Sequence, residues 1–115
     1  MAAMAKPAAR SYSRYTRQAL SLLGASLRAA RIERKIGTQA LAERAGISRD
    51  LLYRIEKGDP RCEIGVAFEL AAILGVPLFE PGLDALRQRN RGIEDTLALL
   101  PKAVHAPRVE VKDDF

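Results

Sequence analysis

Apolar positions along this chain recur three and four residues apart, which is the period of a helix and not the alternation of a half-buried strand. Leu20, Leu23, Leu27 and Ala30 form the first such stripe and predict a helix over about Arg17 to Lys35. Arg28, Arg31, Arg34 and Lys35 crowd its last turns, where cations oppose the negative end of the helix dipole. Lys35-Ile36-Gly37 breaks it. A later stripe, Ile64, Ala67, Leu70, Ala71 and Leu74, predicts a helix closed by Gly75, after the turn signal Gly58-Asp59-Pro60. A short fifth helix is expected around 77–87, interrupted near Pro81. Arg87 to Arg91 reads as a polar linker, and Gly92 to Leu100 as one or two further turns. The stretch AVHAPRVEVKDDF has no helical period and suits an extended segment.

Between the two firm stripes lies Thr38 to Gly58, TQALAERAGISRDLLYRIEKG, which reads as two short helices over about 38–45 and 49–57. Leu41, Ala42 and Ala45 share one face of the first. Gly46 stands where a left-handed residue ends a helix without a Cβ penalty. Ser48 stands where an N-cap belongs. Leu52 and Ile55 give the second helix a buried edge, while Arg49, Asp50, Tyr53 and Arg54 occupy a face no core accepts. Two helices, a glycine turn and a hydrogen-bonding face are the parts from which helix-turn-helix readers of DNA are built.

Charge sharpens this picture. From Met1 to Arg61 there are thirteen Lys/Arg against five Asp/Glu, a balance of +8; from Cys62 to Phe115 there are six against nine, a balance of −3. The basic half holds the two-helix stretch, an electrostatic footprint suited to a polyanion and equally to a solvated basic surface. Residues 1–16 offer little to bury and are expected to form a flexible basic arm, with Arg10, Arg14 and Arg17 able to follow a phosphate backbone. The 115 residues allow one domain with tails: a core domain over 17–88 and a C-terminal tail over 89–115. Val76, Leu78, Phe79, Leu83 and Leu86 exceed what a four-helix core absorbs and are expected to form a homodimer contact. No apolar run long enough to span a membrane and no secretory h-region is read, and one cysteine suits a reducing cytoplasm.

Catalytic and metal chemistry find no constellation. His105 has no carboxylate at helical spacing, and Cys62 has neither a His nor a second Cys beside it. No glycine-rich phosphate loop occurs; Gly24, Gly37 and Gly46 are spaced as helix and turn punctuation. An enzyme, a cofactor and a metal site are therefore not expected. The face of the second motif helix has chemistry suited to base edges. Arg49 and Arg54 can pair with guanine O6 and N7, Asp50 can accept from cytosine N4, Tyr53 can meet a phosphate or base edge, and Leu51 a thymine methyl. An exposed charged helix face with no partner is the plainer alternative.

Leu41-Ala42-Glu43, Gly46-Ile47-Ser48, Ile55-Glu56-Lys57-Gly58 and Leu74-Gly75-Val76, taken together, resemble the Cro/phage-repressor (XRE-type) helix-turn-helix family over roughly residues 19–78. The resemblance implies an all-α, five-helix, lambda-repressor-like DNA-binding domain with flexible tails. It implies that Ser48 caps the recognition helix and touches a phosphate, and that Arg49, Asp50, Tyr53 and Arg54 read bases. Lys57 and Thr38 would meet phosphates. Arg31 would pair with Glu56, holding the motif to the first helix while reaching a phosphate. Gly37 departs from the usual Ser/Thr N-cap of the first motif helix, and Thr38 from a frequent Gln.

A narrower resemblance rests on AERAGISRDLLYRIEKGDP with the C-terminal LALLPKAVHAPRVEVKDDF, which is similar to the antitoxins of HipA-type serine/threonine kinase toxins, the HipB-like proteins. It implies a cytoplasmic, nucleoid-associated homodimer that represses its own operon at a palindromic double-stranded operator. The kinase toxin would dock on a tail segment comprising Leu99, Leu100, Pro101, Lys102 and Phe115. A stand-alone XRE-type regulator without a toxin, and an interaction module without DNA, stay open as alternatives.

Overall fold

A computed structural model describes residues 10–104, in which the chain is all-α with five helices and, among the described residues, no strand. His105 and Phe115 lie outside the described residues. The helices are α1 (Arg14–Glu33), α2 (Thr38–Ala45), α3 (Arg49–Glu56), α4 (Ile64–Leu74) and α5 (Leu83–Leu99). Two compact units result. One ends at Leu78 and holds α1–α4; the other begins at Phe79 and holds α5.

The first unit is built on five leucines that are fully buried, Leu27, Leu41, Leu52, Leu70 and Leu74, at least one from each of its helices. Ala30, Ala42, Ile55 and Ala71 complete the core, and half-buried Leu23, Leu51, Cys62, Val76 and Leu78 pack around it. Burying each large side chain stabilises the fold by about 1.5–3 kcal/mol. The contact is closest where α1 crosses α3. A Cβ at Gly24 would lie 2.5 Å from the carbonyl oxygens of both Ile55 and Glu56. Gly24 is thus a crossing-point residue inside α1 and not punctuation. Gly58 extends the crossing: a Cβ there would stand 3.0 Å from backbone atoms of Leu20 and Ser21, and its φ of +82° is costly for any other residue.

α1 begins at Arg14, earlier than the expected Arg17, because Ser13 caps it: its Oγ accepts the Thr16 N–H at 3.1 Å. The turn between α2 and α3 follows its residues. Gly46 adopts φ +70°, and the Ile47 N–H donates back to the Ala42 carbonyl at 2.9 Å. Ser48 Oγ then accepts the Leu51 N–H at 3.0 Å and starts α3. Gly37, at the N-cap of α2, supplies no such bond.

The second unit differs from the expected interrupted helix and linker. The segment 87–91 and the turns after Gly92 are one continuous helix from Leu83, and no helix covers 77–82. Pro81-Gly82 delays the start, and Leu100 before Pro101 ends it in an extended conformation. Arg and Gln are good helix formers, so RQRNR continues a helix rather than breaking one.

Candidate nucleic-acid interface

α3 has two faces with opposite chemistry. Leu52, Ile55 and Glu56 are buried, whereas Arg49, Asp50 and Tyr53 are exposed and Arg54 is half-exposed. Leu51, expected at a thymine methyl, instead packs half-buried against the core. It lies one turn before Ile55 and so shares that side of the helix. At the start of α3, Ser48 Oγ accepts the Leu51 N–H and the Ser48 carbonyl accepts the Leu52 N–H at 3.1 Å, and the Ser48 hydroxyl keeps a hydrogen to donate.

The arginines of this face are not equivalent. Arg49 stands in the first turn of α3, exposed. Arg54 is drawn between two carboxylates, with Nε 3.3 Å from Asp50 Oδ2 and Nη1 3.8 Å from Asp59 Oδ2. Asp59 also takes two bonds from the Arg61 side chain, at 3.1 and 3.0 Å, and one from its N–H at 2.9 Å. Those bonds, helped by the charges of Arg61 and Arg54, hold the Asp59 carboxyl down to about 2. Sequence reasoning placed Asp59 only in a turn; it is a positioning group behind Arg54.

Arg31 and Glu56 form a buried pair across α1 and α3. Nε and Nη2 of Arg31 donate to the two carboxylate oxygens at 2.7 and 3.2 Å, and Nη1 donates to the Ile36 carbonyl at 3.0 Å. The guanidinium therefore ties α1, α3 and the loop before α2 together. A cleft of about 520 Å³ opens beside this pair, lined by Arg28, Arg31, Thr38, Tyr53, Glu56 and Lys57. With Glu56 neutralised by Arg31, the exposed cations Arg28 and Lys57 set the sign of the cleft. Lys57 Nζ lies 4.8 Å from the centre of the Tyr53 ring, and both side chains line the cleft. Thr38, the first residue of α2, brings a hydroxyl to the same cleft. Arg28 was read only as a helix-end cation. Its spacing of three from Arg31 places both on neighbouring turns and was the available signal.

The remaining candidates separate into two groups. Val76 and Leu78 pack on the core of their own unit, while Leu83 and Leu86 are exposed in the second. Phe79 is also largely exposed. Leu99, Leu100, Pro101 and Lys102 are all exposed at the end of α5. Cys62 packs against the core, where burial pushes its thiol up and so away from the reactive thiolate. Among the described residues no helix is long and apolar enough to cross a membrane, and no cluster of His, Cys, Asp or Glu fit to hold a metal ion occurs.

Comparison with curated proteins and with solved structures gives no match. A family model described as a helix-turn-helix domain matches residues 22–88, which takes in most of α1, the whole of α2 through α4 and the start of α5. The capped turn at Gly46-Ile47-Ser48, the two-faced α3 and a match over more than half of the sequence agree: the chain belongs to the helix-turn-helix domain family of DNA-binding proteins.

Proposed function

We propose that this protein is a sequence-specific, DNA-binding transcriptional repressor that acts as a homodimer on a palindromic operator. The observation that carries the reading is the exposed polar face of α3, held on a capped helix beside a cationic cleft. α3 enters the major groove. Arg49, Asp50 and Tyr53 address base edges, and Arg54 joins them from its seat between Asp50 and Asp59. Ser48, Thr38 and Lys57 donate to phosphates on either side, with Arg28 added to that set. Arg31 contributes at the cleft wall, its main work being the pair with Glu56. In the dimer, two recognition helices reach successive major grooves about 34 Å apart.

Fluorescence anisotropy on duplexes selected from a random pool tests this. Binding weakens steeply with salt, with log affinity linear in log salt concentration. Arg49→Ala costs about 1–3 kcal/mol and relaxes selection at one base pair. Unchanged affinity and selection for Arg49→Ala would remove that residue from the reading face.

A second, finer reading makes the same repressor the antitoxin of a HipA-like kinase. It is supported by the exposed Leu99-Leu100-Pro101-Lys102 end of α5 and by the sequence resemblance of the tail. Co-purification with the product of a neighbouring kinase gene tests it. Kinase binding that survives deletion of residues 92–115 would take the tail out of the docking role.

A further inference from the structure

We propose that α5 is one strand of a parallel two-stranded coiled coil formed with a second copy of this chain, its register set by Asn90. The inference rests on the dimer proposed above and supplies its interface.

The spacing is the first observation. Leu83, Leu86, Asn90, Ile93 and Leu97 follow one another at intervals of three, four, three and four within α5. That is the a/d seam of a heptad repeat, narrower than the broad stripe of a helix lying on a globular core. The second observation is exposure. No residue of α5 is buried, and the four apolar members of the seam are 36–62% exposed. A helix of 17 residues is marginal in water by itself and is stabilised by covering its apolar face. The family match ends at residue 88, so Asn90, Ile93 and Leu97 belong to this chain's own sequence beyond it.

The identity of the occupant follows from Asn90, the one polar residue in the seam. In a parallel pair in register, the two Asn90 amides meet and hydrogen-bond to each other. An antiparallel pair sets Asn90 against Ile93 of the second copy, and a one-heptad slip sets it against Leu83 or Leu97. Either leaves a buried amide without a partner. An unrelated apolar helix would do the same. The flanking charges agree: Arg89 at the g position faces Glu94 at the e position of the second copy. Arg89 already donates to Glu80 in its own unit, and its five N–H groups suffice for both carboxylates.

Sedimentation of the full chain over a range of concentrations tests the proposal. Wild type forms a concentration-dependent dimer, and Ile93→Lys raises the dimer dissociation constant at least tenfold. On an operator with two half-sites, Ile93→Lys binds roughly 10²-fold more weakly, through loss of effective concentration, while binding to a single half-site is unchanged. A wild type that stays monomeric, or a dimer indifferent to Ile93→Lys, overturns the coiled coil. The orientation is read by Leu97→Cys in a Cys62→Ser background, which cross-links to itself on oxidation in the parallel pair. A persisting dimer without that cross-link overturns the parallel register. Wild type that dimerises but binds no duplex overturns the DNA reading and leaves the coiled coil standing.

Discussion

α3 and α5 are both amphipathic, yet their apolar faces have opposite fates. The apolar face of α3 is spent inside its own unit, on Leu52 and Ile55, and the polar face is left to the outside. α5 buries nothing, and it is the apolar face that stands exposed. The difference teaches which chemistry each helix offers a partner. α3 presents donors and acceptors on a rigid, capped support, as recognition of a polar surface requires. α5 presents leucines at a fixed period, as recognition of a like helix requires. Substitutions that act on stability through α3 should therefore act on association through α5.

The largest effect expected is at the pair that joins α1 to α3. Glu56→Ala leaves the Arg31 guanidinium buried without its carboxylate and should cost about 3–5 kcal/mol in urea unfolding. Two leucine deletions then set the helices side by side. Leu52→Ala, at a fully buried position, should cost about 2–5 kcal/mol. Leu97→Ala, at a position 60% exposed, should stay within about 0.5 kcal/mol for the monomer. Equal losses in the two variants would break the comparison. Gly24→Ala should cost about 1–3 kcal/mol, since α1 must move off the Ile55 and Glu56 carbonyls; a neutral result would show that the crossing is looser than drawn.

The smallest effect is in acid. The Asp59 carboxyl is held below its ordinary 3.8, at about 2, by Arg61 and Arg54. A depressed carboxyl contributes stability above its unfolded pKa, and that contribution is lost as pH falls from about 4 through about 2. The Asp59 carboxyl resonance followed by NMR should titrate at the low end of that window, near about 2. In Asp59→Asn the acid loosening of the turn after α3 should vanish.

What was legible in the sequence is what local chemistry decides. Gly46 and Ser48 punctuate the turn because each acts on its own backbone or on residues three away. The stripes of α1 and α4 were visible for the same reason, a period carried by neighbours. Gly24 was misread because its requirement comes from Ile55 and Glu56, far along the chain, and no local pattern carries that. Arg28 and Asp59 were passed over likewise, since the cleft and the arginine they serve exist only once α1, α2 and α3 are packed. α5 failed differently. Its charged RQRNR segment outweighed the leucines on either side, so one helix was divided into a helix, a linker and a turn. An apolar seam with no core to cover it looks, residue by residue, like a solvated loop.

Backbone amide NMR shifts of the full chain, titrated with a duplex selected for binding, test the central claim most directly. The largest changes are predicted at Thr38, Ser48, Arg49, Asp50, Tyr53 and Lys57, with Arg28 among them, and the buried Leu52 and Ile55 little moved. Changes confined to other surfaces of α1 or α4, with the exposed face of α3 silent at saturating DNA, would contradict it.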